Sequence, residues 1–151
     1  MPRPGERHVV TCTGPPEALI VAGDELRLEQ VFQNLLQNAI KYSPNGGAVA
    51  VEVAAEPETV CVRVTDQGIG IPEEALPRLF ERFYRASNTD PRQISGMGLG
   101  LYVVGEIVRL HGGTVRAAPI TTGGSCFEFR LPRCEGVSTA GSGGTTLGGE
   151  G

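Results

Sequence analysis

Apolar and polar residues follow one another along this chain with two different periods. Val49, Val51 and Val53 form one period-two run, and Val60, Val62 and Val64 form another, interleaved with Cys61, Arg63 and Thr65. Alternation of that kind sends one set of side chains to each face of a strand, so both runs predict half-buried strands. HVVTC at 8–12 and ALIVA at 18–22 are further strand candidates, separated by the turn-forming Gly14-Pro15-Pro16. Thr114 to Ala118 and Ser125 to Leu131 complete the set, and in the second of these Phe127, Phe129 and Leu131 share a face.

From Asp24 the period lengthens. Leu28, Val31, Phe32, Leu35, Leu36 and Ala39 recur at helical spacing and predict a helix from about 25 to 42. Asp24 suits its N-cap, and Pro44 with Asn45-Gly46-Gly47 ends it. Glu73 to Phe83 reads as a short helix after Pro72. A further helix is expected from about Gly98 to His111, with Leu101, Val104, Val108 and Leu110 among its apolar positions. Between these two, residues 85–97 are polar and turn-rich and read as a surface loop. Strands with intercalated helices predict a mixed sheet with helices packed on one face.

Composition sharpens the boundaries. Residues 1–7 read as a lead-in, 8–133 as one domain, and 134–151 as a Gly/Ser/Thr-rich tail with too little apolar surface to offset its ordering entropy. A length of 151 residues suits a single core. The net charge of -4, without a dense basic run, argues against nucleic acid or direct membrane contact. Cys12, Cys61, Cys126 and Cys134 form no C-x-x-C pair, and the two histidines are not at metal-ligand spacing from them. A reduced, cytoplasmic protein without structural zinc is expected.

Three features carry candidate chemistry. Strand parity puts Asp66 on the same face as Val60, Val62 and Val64, the face that should be dry, and the chain then breaks at once into Gly68-Ile69-Gly70. A buried carboxylate must find a donor or shift its pKa upward. An adenine amino group is a suitable donor, with Gly68 and Gly70 leaving room for a flat base. Ser125 lies on the face of its own strand that carries Phe127 and Phe129, so its hydroxyl could reach the same pocket. On the first helix Asn34, Asn38 and Lys41 follow i, i+4, i+7 spacing and project into one sector. Amide oxygens can ligate Mg²⁺ beside phosphate, and an ammonium complements phosphate charge. Lys41 is the only lysine in the chain. Third, Gly96, Gly98 and Gly100 open the later helix, where backbone can approach an anion closely. Neither a Walker A loop nor a dinucleotide fingerprint surrounds them.

In that order, NLLQNAIKYSPNGG, DQGIGIP, LFERFYR and GMGLGLYVVGEIVRLHGG resemble the N, G1, F and G2 boxes of the catalytic ATP-binding domain of sensor histidine kinases. The domain is part of the GHKL superfamily, shared with gyrase, heat-shock chaperones and mismatch-repair ATPases. The resemblance runs from about His8 to Pro132 and implies an α+β, two-layer sandwich with a mixed, mostly antiparallel sheet. It implies ATP and Mg²⁺ as ligands. Asn38 is then the metal-coordinating asparagine, with Asn34 beside it near metal or phosphate, and Lys41 a phosphate contact. Tyr42 packs against adenine, and Asp66 bonds the adenine amino group, with the nucleotide rather than protein as its partner. Gly68, Gly70 and Ile71 line that pocket with Ser125, and Arg85 reaches the terminal phosphate. Phe80 and Phe83 pack at the hinge of a lid at 86–97. Gly96, Met97, Gly98, Leu99, Gly100 and Leu101 supply the phosphate side. Catalysis is assigned to Asn38, Lys41 and Arg85.

Two departures matter. Met97 stands where many members carry a small polar residue. Asn34 occupies the position where the hydrolase branches carry a glutamate general base, which favours holding ATP for transfer over splitting it with water. Neither His8 nor His111 lies in a stretch like the family's phosphoacceptor helix, so both are expected to be structural, with His111 placed where a cation would complement a helix C-terminus. The implied partners are a histidine-bearing dimerisation domain, absent upstream of residue 1, and through it a response regulator. The isolated domain is expected to be monomeric. A serine protein kinase of the anti-sigma type and a non-catalytic nucleotide sensor are the alternatives.

Overall fold

In a computed structural model, which describes residues 8–43, 46–82, 84, 100–121, 123–134 and 145–146, the first long helix, α1, spans Glu25–Lys41. Its start is set by Asp24, whose Oδ1 accepts the Leu26 and Arg27 N–H groups at 3.0 and 3.3 Å and so satisfies two otherwise unpaired donors. Leu28, Val31, Leu35 and Ala39 form its buried stripe. The second helix, α2, spans Gly100–Leu110 and buries Val104, Ile107 and Val108.

Strands β1 (His8–Thr13), β3 (Gly47–Ala55), β4 (Thr59–Asp66), β6 (Ser125–Pro132) and β5 (Thr114–Pro119) form one five-stranded sheet in the order β1-β3-β4-β6-β5. The β1–β3 pair is parallel and the other three pairs are antiparallel. Register places Val60, Val62, Val64 and Asp66 opposite Leu131, Phe129, Phe127 and Ser125. All eight are buried, and the valines, Leu131 and both phenylalanines share one core with the stripes of α1 and α2. Phe32 of α1 meets Phe129 edge-on at 5.5 Å between centroids, locking helix to sheet. The expected architecture, a mixed and mostly antiparallel sheet carrying its helices on one face, is the one observed.

The opposite face is polar. Glu128, only 5% exposed, accepts Arg63 Nε at 2.6 Å, Arg116 Nε at 2.7 Å and Arg130 Nη1 at 2.6 Å. Arg130 also bonds Glu56 through Nε and Nη2. All four cysteines are free thiols. Among the described residues no helix is long and apolar enough to cross a membrane.

Two expectations need correction. The short helix expected over Glu73 to Phe83 is a 3-10 helix and shorter, Glu73–Arg78, with Pro77 inside it. Proline has no N–H for the i→i−4 bond and its ring clashes with the carbonyl four residues back, which disfavours α-helix here. The tail is not wholly apart from the domain. The Cys134 N–H donates to Ile20 O at 2.8 Å, and β7 (Thr145–Thr146) pairs antiparallel with β2 (Ile20–Val21). Strand pairing uses backbone groups, so a tail poor in apolar side chains is no obstacle to it. The remaining tail residues, the lead-in, Pro44, Asn45, Phe83 and the expected lid lie outside the described residues.

Candidate functional site

The end of α1, the turn after β4, the first turn of α2 and the start of β6 converge on one cleft. Its empty space, open solvent included, is about 420 Å³. Asn38 and Tyr42 line it from α1, Gly70 and Ile71 from the turn after β4, Leu101 from α2, and Ser125 and Phe127 from β6, with Leu79 and Tyr84 completing the wall. Six residues singled out in the sequence thus meet in one place: Asn38, Tyr42, Gly70, Ile71, Leu101 and Ser125. Leu79, Tyr84 and Phe127 were not singled out. Phe127 was legible, since it shares strand parity with Ser125. Tyr84 lies within LFERFYR but had no role assigned there; its ring carries the Arg78 guanidinium 4.7 Å from its centroid.

Asp66 sits behind Ser125 and is 1% exposed, as strand parity predicts. Its oxygens, however, already have protein partners. The Gly68 N–H donates to Oδ1 at 2.9 Å and Ser125 Oγ–H to Oδ2 at 2.8 Å. The expectation that no protein group serves this carboxylate is therefore corrected. Burial raises the pKa of Asp66, and the bonds from Gly68 and Ser125 oppose that rise without cancelling it. Each carboxylate oxygen has a second lone pair, so capacity for a further donor remains.

Gly70 of this turn lines the cleft as expected, whereas Gly68 acts differently. A Cβ on Gly68 would stand 1.8 Å from Tyr42 O, whose carbonyl accepts the Ile69 N–H at 2.9 Å. The space left by the missing side chain is filled by the end of α1, not by the cleft. Gly124 was overlooked: its φ is +96°, and a Cβ there would lie 2.0 Å from Asp66 O. These two positions let the backbone of α1, the turn after β4 and the start of β6 touch directly around Asp66.

Asn34 is half-buried and donates through Nδ2 to the Gly100 carbonyl at 3.3 Å, linking α1 to the first residue of α2. Lys41 is exposed on the last turn of α1 and does not line the cleft. Arg85, Gly96, Met97, Gly98 and Leu99 lie outside the described residues. Both histidines are engaged in structure. His8 Nε2 donates to Ser43 O at 2.8 Å. His111 Nδ1–H donates to Ile107 O at 2.8 Å while Nε2 accepts the Asp24 N–H at 3.1 Å. His111 thus ties the end of α2 to the N-cap of α1, the structural role expected of both histidines.

A mixed sheet with helices is the fold of histidine kinase ATPase domain structures. The chain belongs to the family of histidine kinase-, DNA gyrase B- and HSP90-like ATPases, whose model matches residues 23–135. It is 39% identical to the sensor histidine kinase WalK of Bacillus subtilis over 84% of its own length and 21% of that protein. It is 43% identical to the histidine-protein kinase AfsQ2 of Streptomyces coelicolor over 73% of its length and 20% of that protein. The chain therefore spans about a fifth of these relatives. Among solved structures, the mycobacterial sensor histidine kinase MprB superposes with a TM-score of 0.75 at 33% identity, covering 84% of each chain. Full-length ShkA in complex with AMPPNP superposes with a TM-score of 0.71 at 28% identity, over 89% of this chain and 27% of that one.

Proposed function

We propose that this chain is the catalytic ATP-binding domain of a sensor histidine kinase, binding Mg²⁺·ATP in the cleft and donating the γ-phosphoryl group to a histidine on a separate dimerisation domain. The observation that carries this is the convergence of Asn38, Tyr42, Ile71, Leu101 and Ser125 on one cleft backed by a buried Asp66. Tyr42, Ile71, Leu79, Leu101 and Phe127 supply apolar surface for a purine. Asp66 accepts the adenine amino group, held in position by the Gly68 N–H and the Ser125 hydroxyl. A carboxylate that must accept one more donor has reason to stay inside despite its burial.

Asn38 offers an amide oxygen at the cleft, and its side chain has no hydrogen-bond partner among the described residues. Such a neutral donor fits a magnesium ion held mainly by phosphate and water. Bound magnesium neutralises phosphate charge during transfer. Lys41, Arg85 and the glycines at 96, 98 and 100 serve the phosphates. No acid stands at Asn34 to activate water, which favours transfer over hydrolysis. The acceptor is not on this chain in this reading: His8 and His111 both hold structural bonds, and the remaining His8 nitrogen, Nδ1, is buried. The AMPPNP in ShkA is a ligand of the same class.

The test is incubation of the chain with γ-labelled ATP, alone and with a histidine-bearing dimerisation domain from a relative. The expected result is no label on the chain alone and an acid-labile, base-stable phosphohistidine on the added domain. Label on this chain itself, or acid-stable phosphoserine on a partner, overturns it.

A further inference from the structure

We infer that Asn34 is a positioning residue: its side-chain amide fastens the first turn of α2 beside Asn38, a task that needs a hydrogen-bond donor at this position. The partner of Asn34 is the Gly100 carbonyl, at 3.3 Å from Nδ2. A carbonyl only accepts, so the amide must present its nitrogen to α2. Gly100 is the first residue of α2, and the next residue, Leu101, lines the cleft. Asn38, one helical turn after Asn34, lines the same cleft. A Cβ added at Gly100 would meet no other described heavy atom within 4 Å. The Asn34 amide is thus a direct tie between the helix carrying Asn38 and the helix start carrying Leu101.

This gives a second reason for an amide where a hydrolase would have an acid. A carboxylate would set its oxygens against the Gly100 oxygen, replacing attraction by repulsion. In this chain the residue that cannot activate water is also the one that bonds the first residue of α2.

The role rests on the nucleotide reading above, and two readouts on the full chain separate them. One needs no nucleotide: the Gly100 carbonyl carbon shift, with exchange of the Val104 amide, whose helical acceptor is that carbonyl. Asn34→Asp is expected to move the shift and speed Val104 exchange by about tenfold, and Asn34→Ala to do the same by a few-fold. The other readout is ATP and ADP affinity with and without Mg²⁺. Asn34→Asp is expected to weaken both by about tenfold, equally with and without the metal, and more than Asn34→Ala does. If Asn34→Asp fails to fold, Asn34→Ala carries both measurements. An unmoved Gly100 shift in either variant overturns the inference, as does an affinity change that occurs only with Mg²⁺, which would make Asn34 a metal ligand. Should the unmodified chain bind no nucleotide, the proposed function falls and the first readout still decides the tie.

Discussion

Asp66 concentrates the conflict between folding and binding in one side chain. At 1% exposure its charge is costly, and burial raises its pKa against the hydrogen bonds from Gly68 and Ser125 that favour the ion. An acid whose pKa rises on folding stabilises the fold only at low pH and subtracts from stability above that raised value. Asn at this position keeps an oxygen for the Gly68 N–H, and the Ser125 hydroxyl can turn to accept from the new amide. Asp66→Asn should therefore leave the thermal midpoint at pH 7 unchanged or higher. The nucleotide reading adds a second expectation. An amide can satisfy the guanine carbonyl as readily as the adenine amino group, so preference for ATP over GTP should fall by about tenfold or more. Calorimetric titration of both nucleotides checks this; unchanged preference would remove Asp66 from the base-recognition role.

The elements differ in how plainly the sequence announces them. α1 was readable end to end because its apolar spacing, its cap and its terminator all act within a few residues of one another. Asp24 bonds donors two and three residues ahead, and the pattern needs no knowledge of the rest of the chain. Deleting that oxygen by Asp24→Ala should cost about 1 kcal/mol of stability, with Asp24→Asn costing much less. Urea unfolding of the three proteins measures it, and equal midpoints would show the cap to be idle. The short helix at Glu73–Arg78 was readable after Pro72, but its 3-10 form and early end were not, since Pro77 removes a bond an α-helix needs. Gly68 and Gly124 were misread or missed for a different reason. Each is required by the backbone of a residue distant in sequence, Tyr42 for one and Asp66 for the other. No local pattern encodes such contacts. The cleft followed the same division: Ser125 and Asp66 were paired by strand parity, whereas the place of Tyr84 on the cleft wall depends on tertiary packing.

Taken together, the strands divide the molecule into an apolar side that carries helices and cleft and a polar side held by charge. Strand parity revealed both faces, but the clustering on the polar one depends on register across three strands. Arg63 on β4 and Arg116 on β5 both stand opposite Glu128 on β6. Burial by itself would raise the Glu128 pKa, yet hydrogen bonds from Arg63, Arg130 and Arg116 outweigh it and bring the value from 4.5 down to about 2. A depressed acid stabilises the fold above its unfolded pKa, and that contribution is lost as pH falls from about 4.5 towards about 2. The full shift sets a ceiling of about 3 kcal/mol. Arg63 and Arg116 are 50% and 72% exposed, so solvent screening lowers the expected contribution to about 1–2 kcal/mol. Glu128→Gln should lower stability by that amount at pH 7, through a lost charge and an amide donor facing guanidinium groups. The gap between the two proteins should hold down to about pH 4.5 and then narrow, because the parent's own carboxylate becomes protonated. Urea midpoints from pH 7 to pH 3 follow it directly. A gap of constant size across that range would mean that Glu128 acts by shape and not by charge, and the polar face would then owe its order to strand pairing alone.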